Sequence, residues 1–230
     1  MPRRPRILLP GFPHHVTHRG NRKTSIYIEA EDRRVYLEML QKYCECYRTR
    51  IYSYCLMTNH IHLVAVPETR TSLSRCMHDL HGHYAQLFNH KYRVTGHLWE
   101  ERFYACVLDA DHLWNAVRYV EQNPIRSRMI EIAEDYPWSS AAAHCGLKED
   151  KVLDKSFPPN GLISNWSNWL SSDLPVNDTE QIRNATRRGI PCGSKSFLTE
   201  LESMLKIPLL PRKRGRTLST LMQPLNLVPD

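Results

Sequence analysis

An α+β fold, with four strands and two helices alternating as β-α-β-β-α-β, is what the sequence predicts. Two amphipathic helical stretches separated by a pair of β-rich runs carry that prediction, together with one further strand at each end. Residues 13–21, PHHVTHRGN, read as a short strand closed by Gly20-Asn21, a turn signal. Over 31–48, Val35, Tyr36, Met39, Leu40, Tyr43 and Tyr47 recur at intervals of three or four, with Asp32, Arg33, Arg34, Glu38 and Lys42 between them, as a half-buried helix requires. Residues 51–56 and 60–66 are β-rich and flank Met57-Thr58-Asn59, which predicts a hairpin. A second helix follows at 71–90, with Leu73, Met77, Leu80, Tyr84 and Leu87 or Phe88 on one face. The stretch GHLWEERFYACVLDAD then holds a loop and a fourth strand at 103–108. This is the ferredoxin-like plan: an antiparallel sheet with helices on one face and the other face open.

One more helix is predicted from Asp111, a suitable N-cap, to just before Pro124, since proline disfavours the helical state in the residue ahead of it. A short element begins at 137–140, PWSS. Beyond 150 the chain turns irregular, with a helix at 196–205 and a basic stretch, PRKRGR, at 211–216. The reading is therefore a domain over 1–148 and an accessory, basic, helical or extended tail over 149–230.

With 41% hydrophobic and 24% charged residues in 230, the chain suits one globular domain with an appendage. Thirty-one Lys and Arg against 24 Asp and Glu leave a net charge of +7, which favours a polyanionic partner, nucleic acid first. The seven cysteines form no CxxC, and Cys44-Glu45-Cys46 is the only close pair. That usage points to a reduced, cytoplasmic protein without a thiolate zinc site. The opening MPRRPRILLPGF is basic, its apolar part is too short for a signal peptide, and no apolar run approaches the roughly 20 residues of a membrane span.

Within LMTNHIHLV at 56–64, strand alternation sends His60 and His62 to one face and Ile61 to the helix-covered side. Two imidazoles on one face suit a divalent metal, although alternating histidines are equally compatible with a solvated strand face. On the 111–123 helix, Leu113, Ala116, Val117 and Val120 define the buried stripe, and Tyr119 and Asn123, four apart, lie together on its flank. A tyrosine so placed can simply pack its ring and wet its hydroxyl. Two histidines, a tyrosine, an amide and a basic chain together describe metal-assisted attack of a tyrosine on a phosphodiester, giving a 5′-phosphotyrosine and a free 3′-hydroxyl. Mg²⁺ and Mn²⁺ both fit such a ligand set.

HVTHRGN, SYCLMTNHIHLV, GHLWEERF, RYVEQNP and PWSS, in that order, resemble the IS200-like single-tyrosine HUH transposases, and more closely the REP-associated tyrosine transposases, over about residues 5–145. RRGIPCGSKSF and LPRKRGR extend the resemblance to 186–216. It implies an HUH endonuclease that cleaves and rejoins single-stranded DNA beside a hairpin, with Tyr119 as nucleophile, His60 and His62 as metal ligands, and Asn123 where the family has an amide ligand. His14 stands where many relatives have an aromatic, and RSRM at 126–129 replaces a smaller sequence; neither touches the expected chemistry.

Single-strand binding combines cationic grooves with aromatic platforms. Candidate DNA contacts are Arg3, Arg4, Arg6, His15, Arg19, Arg22, Arg93, Trp99, Arg102, Arg212, Lys213 and Arg214. Tyr92, Phe103, Tyr104, His14 and His18 stand in the same clusters, and Trp99 and Phe103 serve equally as core. The arms at 3–6 and 212–216 suit phosphates rather than bases. The expected partner is single-stranded DNA carrying hairpin or palindromic repeats, bound by a monomer or homodimer. A non-cleaving hairpin DNA- or RNA-binding regulator on the same fold is the competing class. A small-molecule metalloenzyme fits the charge poorly.

Overall fold

A computed structural model describes residues 6–159, 162–172 and 174–209, so Arg3, Arg4, Arg212, Lys213 and Arg214 lie outside the described residues. The first part of the chain runs β1 (His14–Arg19), α1 (Ala30–Cys46), β2 (Thr49–Leu56), β3 (His60–Pro67), α2 (Ser72–Tyr92) and β4 (Tyr104–Val107). All pairings are antiparallel and the sheet order is β2-β3-β1-β4. That is the β-α-β-β-α-β plan predicted above. Helix α1 starts on a capping box in which the Glu29 amide donates to the Asp32 carboxylate at 2.9 Å.

Strand alternation divides the side chains between two cores. Val16, Tyr54, Leu56, Ile61, Leu63 and Ala65 pack with Tyr36 and Leu40 of α1 and Leu73, Met77 and Leu80 of α2. Ile61 therefore does face the helices. On the other face lie Cys55, Val64 and Cys106, and this face is covered rather than open. It packs against α3 (Ala110–Glu121) and, further along, α7 (Val176–Arg188), through Ala116, Val117, Val120, Ile182 and Ala185. Between and after them come α4 (Asn123–Arg126), α5 (Ala141–His144), α6 (Trp166–Ser171) and α8 (Lys195–Leu205).

Two local details differ from the sequence reading. The N-cap of α3 is Asp109, not Asp111: its carboxylate accepts from the His112 amide at 2.8 Å and from the Ser194 amide at 2.8 Å, so it caps the helix and ties it to the later chain at once. Nor does Pro124 stop a continuous helix. Helix α3 ends at Glu121, and Pro124 sits in the first turn of α4, where its missing N–H costs nothing. Tyr119 and Asn123 thus lie on consecutive helices, with the Arg118 carbonyl accepting from the Gln122 amide and the Gln122 carbonyl from the Arg126 amide across the join.

The histidines of β1 are buried on both sides of the sheet, His14 and His18 towards α1 and α2 and His15 towards α3. Burial holds His14 and His18 down to about 4 and His15 to about 3. The sign follows directly. As pH falls below the unfolded value near 6.5, the unfolded chain takes up protons that the folded protein refuses until its own lower pKa, so stability complete above pH 6.5 is lost between 6.5 and about 4. Each histidine contributes about 1.4 kcal/mol per pH unit in that window. Thermal unfolding followed between pH 7.5 and 4.5 should show a midpoint that falls steadily below 6.5; a flat profile would mean that these rings reach solvent.

Candidate active site

The face shared by α3 and α7 gathers the residues singled out for chemistry. Tyr119, only 4% exposed, presents its ring edge-on to His62, with centroids 5.5 Å apart at 88°. His60 and His62 lie 4.9 Å apart, also edge to face. The sheet places them. β3 delivers both imidazoles to one side, and Cys55 of β2 and Thr17 of β1, paired with His62 in register, keep the strand from slipping.

Electrostatics keep these imidazoles neutral, the form in which they ligate a metal. His60 is held down to about 4, first by burial and then by Arg19, its cross-strand neighbour. Burial likewise holds His62 well below its usual value, with the His60, His15 and Arg126 charges adding to it. The Nδ1 of His60 lies 2.7 Å from Asn59 Oδ1, and the Nδ1 of His62 lies 3.0 Å from His15 Nε2. Among the described residues the Nε2 of each ring has no hydrogen-bond partner. Asn123 is buried and, among the described residues, its Nδ2 has no hydrogen-bond partner; that donor suits an anionic oxygen such as a phosphate's, while the Oδ1 is the atom that would ligate a cation. Among the described residues no three His, Cys, Asp or Glu side chains gather to hold a metal. The candidate donor set is accordingly two imidazoles and an amide, and it fits a divalent cation.

His15 and Trp99 are not DNA-facing residues. His15 is 1% exposed, with its ring edge-on to Tyr119 at 5.5 Å and bonded to His62. Trp99 stacks on His18 at 4.6 Å and donates its indole N–H to the His81 carbonyl, which makes it part of the core beneath α2. His14 and His18, from the same cluster, and Phe103 are buried too. Arg6 is half-buried, stacked 3.8 Å over the Phe103 ring with its Nε donating to the Phe103 carbonyl. Arg19, Arg22, Arg93 and Arg102 are exposed. Arg19 and Arg22 flank Gly20 and Asn21, which are joined to Trp99 and Leu98 of the 96–103 loop, so a basic rim stands at the His60 end of the sheet.

Three further residues enter the site. Arg126 lies 4.2 Å over the Tyr119 ring and donates to the Tyr119 carbonyl. It sits in the RSRM stretch, which the sequence reading set apart from the chemistry and the structure brings onto Tyr119. Thr186 of α7 contacts His15 from the far side. Glu121, fully buried, accepts from Ser140 Oγ, from Trp166 Nε1 at 2.8 Å, and lies 2.6 Å from His144 Nδ1. Two residues from Tyr119, it anchors the end of α3 to two separate segments, α5 with its N-cap Ser140 and the start of α6. Glu121→Ala would strand all three donors in a dry interior. The expected cost is about 3–5 kcal/mol, or a fall in Tm of roughly 6–20 °C, checked by thermal melts; a shift under about 3 °C would show that the network is relaxed by water.

Residues 12–123 match the family described as "Transposase IS200 like". A protein of Haemophilus influenzae bearing the name REP-associated tyrosine transposase is 28% identical over 109 residues, which is 42% of this chain and 61% of that protein. The chain therefore spans about three fifths of that relative's length. Among solved structures, one described as a REP-associated tyrosine transposase bound to a REP hairpin superposes with a TM-score of 0.53 at 18% identity, covering 68% of this chain and 96% of the other. That likeness establishes a shared fold. The stretch similar to the IS200-like transposases, residues 12–123, holds the four strands together with His60, His62, Tyr119 and Asn123.

Proposed function

We propose that the protein cleaves and rejoins single-stranded DNA beside a hairpin through a covalent 5′-phosphotyrosine, with Tyr119 as nucleophile. The observation that carries this reading is the edge-on seating of Tyr119 against His62, with His60 beside it, inside the segment that matches the family. The Tyr119 phenolic oxygen attacks the scissile phosphorus and gives up its proton. A bond from tyrosine to the 5′-phosphate forms as the bond from phosphorus to the 3′-oxygen breaks, and the departing 3′-oxygen takes up a proton to become a free hydroxyl. Because the phosphoester is kept, a second 3′-hydroxyl can reverse the step and join strands without an energy source.

His60, His62 and the side-chain oxygen of Asn123 would hold Mg²⁺ or Mn²⁺, which when bound polarises a non-bridging phosphate oxygen and absorbs developing charge. Arg126, over the Tyr119 ring, fixes the ring plane and adds positive potential where the phosphate arrives. The hairpin partner is supported by the net charge of +7, by the basic rim of Arg19, Arg22 and Arg102, and by the related structure that holds a REP hairpin. Phosphate contacts of this kind release counterions, so affinity for a hairpin oligonucleotide should drop by about tenfold or more between 50 and 200 mM salt. Salt-independent binding would instead indicate base stacking alone.

The test incubates the full chain with Mn²⁺ or Mg²⁺ and a 3′-labelled oligonucleotide carrying a hairpin with single-stranded flanks. A label that comigrates with the denatured protein supports the reading. Tight binding with no covalent species, across a panel of palindromes, would favour the non-cleaving regulator. Among the described residues no helix is long and apolar enough to cross a membrane.

A further inference from the structure

The Thr186–His15–His62 chain runs from the far side of α7 to the candidate metal ligand, and its hydrogen bonds have only one consistent direction. Thr186 Oγ1 lies 2.8 Å from the Ile182 carbonyl, an atom that can only accept, so the hydroxyl proton points there. Its oxygen is then the acceptor for His15 Nδ1, 2.7 Å away, and that ring nitrogen carries a proton. Cys106 Sγ, at 3.2 Å from the same oxygen, can donate to it without changing this assignment. His15 is enclosed between Thr186, His62 and Tyr119 at 1% exposure, and among the described residues no carboxylate touches it to balance an imidazolium. Being neutral and protonated on Nδ1, it offers a lone pair on Nε2. The proton in the 3.0 Å contact therefore belongs to His62 Nδ1, and the lone pair of His62 sits on Nε2.

We infer that Thr186 and His15 are positioning residues that lock His62 in the Nδ1–H tautomer, so that its Nε2 lone pair is presented as a ligand and the segment after residue 148 completes the site formed by the first part of the chain. The inference deepens the metal-assisted reading and, for its consequence on metal affinity, rests on it. Imidazole ligands are ordinarily fixed by a partner on the other ring nitrogen, and removing such a partner weakens metal binding by about 10- to 100-fold. Here the partner is itself a histidine and needs its own orienting group, which α7 supplies.

Two measurements decide it. In the metal-free full chain labelled with ¹⁵N-histidine, long-range ¹H–¹⁵N correlation spectra should show both His15 and His62 as neutral rings protonated on Nδ1. His62 protonated on Nε2 would overturn the proposal outright, before any variant is made. The second measurement is Mn²⁺ affinity by calorimetry for wild type, Thr186→Val and Thr186→Ser. Valine keeps the volume and removes the acceptor; His62 should then populate both tautomers and Mn²⁺ affinity should fall at least about tenfold, while serine restores both. Unchanged tautomer or unchanged affinity in a folded Thr186→Val protein overturns the relay. A wild-type protein that binds no Mn²⁺ yet shows the Nδ1–H tautomer sinks the metal reading and leaves the relay standing. Wild-type binding and cleavage with an indifferent valine variant does the reverse.

Discussion

Tyr119→Phe is expected to remove the covalent protein–DNA species entirely, cutting strand cleavage by on the order of 10³-fold or more while hairpin affinity stays within about threefold. The substitution isolates the chemistry because of how the ring is held. Its contacts with His62, His15 and Arg126 are made by the ring face and edge, all of which phenylalanine keeps. Arg126, which pairs with the Tyr119 side chain, also donates to the Tyr119 carbonyl, so loss of the hydroxyl leaves its guanidinium an acceptor in the interior. Melting should accordingly shift by no more than a few degrees. A labelled adduct that persists in the phenylalanine protein would remove Tyr119 from the mechanism and point to another nucleophile.

His60→Ala should be nearly as severe for cleavage and almost silent for binding. Losing one of two imidazoles from a three-ligand set removes several kcal/mol of charge stabilisation, on the order of 10³-fold in rate. Binding is retained because the exposed cations stand outside the histidine pair, on Arg19, Arg22 and Arg102. His60 is also the better choice over His62 for this test. It is only partly buried, at the first position of β3, with Asn59 as its hydrogen-bonded neighbour, whereas His62 is packed between His15 and Tyr119 and its removal would disturb both. Electrophoretic mobility shifts and single-turnover cleavage on the same oligonucleotide separate the two effects. Parallel loss of affinity and rate would mean that His60 holds the DNA rather than serving the reaction.

The sheet and its two first helices were legible because each carries a clean period: alternation about Ile61 and the three-to-four spacing from Val35 to Tyr47 both survive in the packing. Histidine parity on β3 placed His60 and His62 on one side of the sheet for the same reason, and the structure sets Tyr119 beside them. The covering of the second face was not legible. Helix α7 reads VNDTEQIRNATRR, and of its residues only Ile182, Ala185 and Thr186 are buried, too few to mark an apolar stripe. Glu121 was missed because a carboxylate in a helix ordinarily reads as solvated, and its three donors come from residues 19 to 45 positions away. His15 was read as surface since parity on β1 has no meaning until the strand's register with β3 is known; once Thr17 is opposite His62, His15 must share that face. Trp99 fell to the core because His18 stacks on it and His81 and Tyr36 pack tilted around it, and all four rings lie far apart in sequence.

Helix α7 also sets a condition on when during synthesis the protein can work. The residues proposed for chemistry are all synthesised by Asn123, yet the β1 and β4 half of the surface beside them is covered only when Ile182, Ala185 and Thr186 arrive some sixty residues later. A nascent chain, or a fragment ending near 148, would show Cys106 and Leu108, at the β4 side of the sheet, to solvent, a patch prone to self-association. Folding of the full length and completion of the candidate site are thus coupled in this chain, and a transcript broken before the region encoding α7 would yield a sticky remnant in place of a working fragment.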